Sequence, residues 1–283
     1  MIQAFLVAIP SFCQPAAVGA FRRPGTVFAV VVAGAVAITG CGGPGEMPPE
    51  AADQPLTPDA DGRVDRTATG TTGIEGHWHV ESDSTNFSGM APGTCQMNGH
   101  DISQCSRVIT PDPATAITSF PPTVINGFVL GMCVVGVVAP VIRDANGNLD
   151  SANIWGLSIG LRFNAGQAYD APAHGVTGIA FDIDSEPPPR GGIRVLAPTA
   201  TTAGRAAWWN GATEDTSPVH VGHNEFRWAS VGGPLLLTPP PPSYAMTPFD
   251  PTRLIGIEFA AVSDPYGPET VSFCISNLTA LRN

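Results

Sequence analysis

The chain has 283 residues, with 24 acidic against 13 basic, no lysine, and a formal net charge of −11. That balance excludes nucleic acid and anionic lipid head groups as partners of its surface, since both would be repelled. Neutral ligands, cations and basic partners remain, and the length suffices for one domain with a sizeable core.

The first predicted element is an apolar run at 27–38, preceded by Arg22 and Arg23 and followed by small residues. A spanning helix takes about 20 apolar residues, so this shorter run suits a signal peptide. Gly42, Gly43, Pro44, Pro48 and Pro49 stop any helix from continuing. The signal-peptide region is therefore 1–40, and its extra apolar stretch at 1–20 carries the expectation that the natural start lies downstream of Met1. Ile38-Thr39-Gly40-Cys41 resembles the bacterial lipobox. The resemblance implies cleavage before Cys41, a lipid on that cysteine, and an exported chain anchored to a membrane without spanning it. Gly42, rather than an aspartate, implies by the same resemblance the outer membrane of a two-membrane envelope. Cleavage would remove Arg22 and Arg23 and none of the 24 acidic residues, which makes the mature chain more acidic still.

Residues 41–73 carry Pro, Asp, Gly, Thr and Ala with almost no large apolar side chain. Such a composition cannot bury enough surface to fold, so a flexible, lipidated linker is expected. A coil of that length reaches about 30 Å.

From residue 77 the pattern changes to short alternating runs, at 77–81, 124–130, 133–141, 154–163, 176–183, 193–196, 225–231, 254–262 and 271–281. Turn signals such as "DANGN", "VGGP" and "SDPYGPE" separate them, and no segment holds a helical period. The pattern predicts an all-β domain over 74–283, a two-sheet antiparallel β-sandwich of jelly-roll type. Setting Cys13 and Cys41 aside, four cysteines remain, and an even number in an exported chain reads as two disulfides. Three pairings are open; Cys95 with Cys105 and Cys133 with Cys274 is favoured on separation alone.

The segments "IWGLSIGLRFN", "YDAPAHGVTGIAFDID", "FDPTRLIGIEFAAV" and "VSFCISNL" resemble bacterial secreted jelly-roll domains of the galactose-binding-like, carbohydrate-binding-module type. The resemblance covers roughly 152–281, and its motifs are mostly strand-core patterns. It implies glycan binding on a concave face or at edge loops, often with a structural calcium.

Strand phase yields candidate ligand contacts. Phe181, Ile257 and Phe259 fall on core positions, whereas Asp182, Arg194, Arg227 and Glu258 fall mid-strand on the opposite phase. If these strands share one sheet, the four make a charged row. Planar, bidentate groups of this kind suit sugar hydroxyls, which donate and accept at once; a solvated face with cross-strand ion pairs is the alternative. Trp208, Trp209 and Tyr169 are candidate stacking platforms, while Trp78, Trp155 and Trp228 sit in strand patterns and are expected in the core. Asp144, Asn146, Asn148 and Asp150 alternate as in the start of a calcium loop, and Asp182 with Asp184 is a second metal candidate. A hairpin turn on Asn146-Gly147 explains the first stretch equally well.

Three patterns point elsewhere. Residues 156–160 match G-x-S-x-G, but the nucleophile motif needs a strand, a sharp turn and a helix, and this run alternates like a strand. His77 with His79, or His220 with His223, lack a third zinc ligand at a supporting spacing. Glu214, Asp215 and Glu258 supply carboxylates without the tight cluster of a glycosidase. The expectation is thus an anchored cell-envelope lipoprotein that binds carbohydrate without turnover. A glycan-active hydrolase or lyase and a structural surface protein are the alternatives.

Overall fold

A computed structural model of the chain describes residues 52–67, 70–85, 92–125, 128–143, 146–150, 153–199, 206–209, 219–230 and 250–282, without the side chains of 71, 125, 128–130, 206–209 and 230. The expected signal-peptide region and Cys41 lie outside the described residues.

The strands are β1 (Gln54–Pro55), β2 (Arg63–Val64), β3 (Gly76–Ser82), β4 (Arg107–Thr110), β5 (Thr123–Ile125), β6 (Phe128–Val138) and β7 (Gly156–Phe163). They continue as β8 (Val176–Asp184), β9 (Ile193–Pro198), β10 (Ala206–Trp209), β11 (Gly222–Arg227), β12 (Gly256–Val262) and β13 (Glu269–Arg282). They form two antiparallel sheets. The first runs β11-β8-β13-β6-β4, with β1 added to β13 and β5 to β6; the second runs β10-β9-β12-β7-β3-β2. From β6 onward the chain changes sheet at every connection except the one between β9 and β10, which makes a jelly-roll sandwich. Described helices are single turns, among them α1 (Thr94–Met97) and α2 (Pro113–Ala116), which alternation alone did not signal.

Alternation decides what fills the interior. Phe181 of the first sheet and Ile257 and Phe259 of the second are fully buried, and the Phe181 and Phe259 rings meet edge to face with centroids 4.7 Å apart. Trp78 stacks on Phe259 from the neighbouring side at 6.3 Å. Trp78 and Trp228 are core residues as expected, whereas Trp155, just ahead of β7, is only half-buried.

Both favoured disulfides are present. Cys95–Cys105 closes a ten-residue separation around α1, and Cys133–Cys274 joins residues directly opposite in β6 and β13, 141 positions apart. Closing so long a loop removes unfolded-state entropy worth about 5 kcal/mol in the chain-entropy picture.

One expected boundary moves. Residues placed in the linker belong to the sandwich: β1 pairs with the end of β13, β2 pairs with β3, and Leu56, Val64 and Thr72 are buried. The segment is poor in apolar residues, but Leu56 and Val64 are both spent in the core, next to Ile74 at the start of the expected domain. The 124–130 run is likewise two strands, β5 and the start of β6.

Candidate binding face

The second sheet turns one face to the core and carries an unusual set of side chains on the other. In β3, Trp78 and Val80 point inward, so His77, His79 and Glu81 point out; in β7, Leu157, Ile159 and Leu161 point inward, leaving Ser158, Gly160 and Arg162. In β12 the outer residues are Glu258 and Ala260, and in β9 they are Arg194 and Leu196. Register aligns them in rows across the sheet. Glu81, Ser158, Ala260 and Arg194 form one row, and His79, Gly160, Glu258 and Leu196 the next.

Gly160 makes a notch at the centre of this face. A Cβ there would come within 2.7 Å of Glu258 Cγ and 3.1 Å of His79 Cε1. Because that space is empty of side chain, Glu258 and His79 lean together over β7, and Glu81 and Glu258 share a hydrogen bond. Burial, then the Glu258 charge, raise the Glu81 carboxyl well above its ordinary value. Burial pushes Glu258 up to about 7, against the hydrogen bond from Glu81 and the Arg162 guanidinium. Burial, with Arg162 adding to it, depresses His79 to about 4, so its imidazole is neutral at physiological pH. His79 Nδ1 and Ser158 Oγ are buried with no hydrogen-bond partner among the described residues. Buried polar atoms are nearly always paired, so two on one face mark a place where a partner is missing.

The expected charged row does not form. Asp182 and Arg227 lie on β8 and β11 of the first sheet, whereas Arg194 and Glu258 lie on the second. Asp182 accepts from Asn277 at 2.6 Å and bonds His223 Nδ1 at 2.7 Å. Arg227 donates to Thr177 Oγ1 at 2.8 Å and to the Arg282 carbonyl at 3.3 Å. These two are sheet-bracing residues, since the strands carrying them belong to the other layer. Tyr169 is no platform either: it is buried, its hydroxyl donates to the Thr72 carbonyl at 2.6 Å, and its ring packs on Phe163 and His174. The backbones of Trp208 and Trp209 pair with Leu196 and Val195, next to the polar face, but their side chains lie outside the described residues.

The calcium-loop candidate resolves differently. Asp144 lies outside the described residues; Asn146 and Asn148 are exposed in a turn closed by the Arg143–Leu149 bridge, with Gly147 at φ 83°. Asp150 gives its two oxygens to His100 Nε2 and Asn153 Nδ2, each at 2.8 Å. Such a carboxylate is committed to the protein, and the hairpin reading fits. Asp184, the partner of Asp182 in the second candidate, is exposed at the end of β8. Among the described residues, one group of metal-ligating types is close enough to share an ion, Asp83 with Cys95 and Cys105, and both cysteines are in the disulfide. The G-x-S-x-G serine sits mid-strand in β7, five residues before the strand ends in a single 3-10 turn at Asn164–Gly166, and it does not bond His79.

No family model matches the chain, and no curated protein matches it. Among solved structures it is similar to the family 11 carbohydrate-binding module of the cellulosomal cellulase Lic26A-Cel5E of Clostridium thermocellum. The match is 13% identical, covers 73% of this chain and 88% of that one, and has a TM-score of 0.33. The solution structure of CtCBM11 matches at 13% identity over 53% of this chain and 84% of that one, with a TM-score of 0.27. At these values neither comparison carries a residue's role across.

His79, Glu81, Ser158 and Arg162 had no place in the sequence-based ligand set. Their outward phase was readable in "HWHVE" and "GLSIGLRF"; the strand order that gathers them around Glu258 was not.

Proposed function

We propose that the chain is an exported, Cys41-anchored domain that binds carbohydrate non-covalently on the polar face of the six-stranded sheet. The observation that carries this reading is the row structure of that face. Four adjacent strands present carboxyls, guanidiniums and an imidazole, with two buried polar atoms that have no partner among the described residues. Sugar hydroxyls donate and accept together, which suits such a mixture. Hydrolysis is favoured less: paired glycosidase carboxyls stand about 5–9.5 Å apart to admit the reacting carbon or a water. Glu81 and Glu258 are instead in hydrogen-bond contact. Affinity electrophoresis of the mature chain on plant and microbial polysaccharides tests the proposal. At least one polysaccharide should retard it, and His79→Ala or Glu258→Ala should weaken that retardation about tenfold, the loss expected for one hydrogen bond to a polar group. Retardation by no polysaccharide ends this reading.

Anchoring rests on the sequence Ile38–Cys41 and on the disulfide-bonded domain that follows, which suits an oxidising compartment. Radiolabelled palmitate should enter the wild-type chain and not Cys41→Ser; equal labelling of both rules out the cysteine as the anchor.

A further inference from the structure

We infer that the polar face selects sugars bearing a carboxylate, with Arg194 as the group that receives the acid. This deepens the carbohydrate reading above and rests on it. Arg194 projects from β9, between the inward-pointing Ile193 and Val195, onto the same face as Ser158 and Glu81. It is half-buried, and it makes no hydrogen bond or ion pair with any described residue. A guanidinium partly withdrawn from water, with no counter-charge among the described residues, is costly to hold, so its position calls for an anion supplied from outside.

The surroundings limit which anion fits. Between Arg194 and Glu81 the row is floored by Ala260 and Ser158, both buried and small. Strands about 4.8 Å apart put Ser158 two strands, about 10 Å, from Arg194. A bare ion at Arg194 would leave Ser158 Oγ and His79 Nδ1 still unpaired. A ligand that carries an anion at one end and hydroxyls beyond it satisfies all three groups, and a uronic-acid oligosaccharide is that kind of molecule. The planar guanidinium fork matches a carboxylate with two parallel hydrogen bonds, which favours a uronate over a tetrahedral sulfate ester. At the far end of the row stands Glu81 on β3, three strands from Arg194, so the acid end of the ligand lies over β9 and its hydroxyls toward β3.

The test is calorimetric titration of the full mature chain, carrying Cys41→Ser for solubility, with oligogalacturonate, oligoalginate, their carboxyl-reduced forms and dextran sulfate. At least one acidic oligosaccharide should bind ten- to a hundredfold more tightly than its reduced form. Arg194→Gln should abolish that preference, and Arg194→Lys, a point charge without the fork, should keep part of it. Melting temperatures within a few degrees of wild type establish that the variants fold; if they do not, the acid-against-reduced comparison on the wild-type chain decides alone. Equal binding of acidic and reduced forms overturns the acid preference while leaving carbohydrate binding standing. Dextran sulfate bound as tightly as the uronates overturns it too, as unselective anion attraction. Binding of no glycan in the polysaccharide screen removes both readings together.

Discussion

Asp83 shows how much a single buried carboxylate can organise. It follows β3, is fully buried, and accepts from Ser106 N at 2.6 Å and Gly156 N at 3.0 Å. Its own backbone bonds Gly156 and Cys95, so the end of β3, the start of β7 and the short disulfide loop meet on one residue. Burial pushes its carboxyl up to about 7, although the Ser106 and Gly156 hydrogen bonds pull the other way. Removing the acceptor strands two buried N–H groups at about 1–3 kcal/mol each. Asp83→Ala should therefore lose about 2–5 kcal/mol in urea denaturation, and Asp83→Asn, which keeps one acceptor, should lose less. A loss below about 1 kcal/mol for the alanine variant would show that the three segments hold together without it.

At the scale of strands, much of the sandwich was legible in the sequence and the candidate site only in part. Period-two alternation is a local property, and it placed Phe181, Ile257 and Phe259 in the interior from their neighbours alone. The pairing Cys133–Cys274 was also reachable, since a short disulfide at Cys95–Cys105 leaves only those two. Strand order is not local. Asp182 and Glu258 have the same outward phase, yet they belong to different sheets because the chain alternates between layers after β6. The same non-local pairing drew 54–64 out of the expected linker: two-residue strands carry no period to read, and their order comes from β13 and β3. Tyr169, expected as a stacking platform, is folded back over the core by the isolated bridge to Leu254, a contact that its own neighbours do not signal.

For the whole molecule, the buried ionisable groups set an acid-shifted stability profile. The folded-state values of Asp83 and Glu258 are raised to about 7, and Glu81 is raised with them. Above their unfolded values these carboxyls hold protons that the unfolded chain has released. Their contribution to stability is thus full at acid pH and declines as pH rises from about 4 to 7. His79, lowered to about 4, acts oppositely: what it contributes is complete above its unfolded value of 6.5 and is lost as pH falls through 4. Three raised carboxyls against two lowered imidazoles, His79 and the half-buried His77, favour the acid side, so the melting temperature should be higher at pH 5 than at pH 8. A higher value at pH 8 would refute this balance, and Glu258→Gln with Asp83→Asn should flatten the profile. The clasp of β1 on β13 reaches further. Gln54 lies opposite Ala280, and Arg282 N donates to Asp53 Oδ1 at 2.8 Å, so both ends of the folded body emerge side by side. A force applied at residue 53 therefore enters the sandwich through β13, the strand at the middle of the first layer, and is shared at once with β6 and β8 on either side.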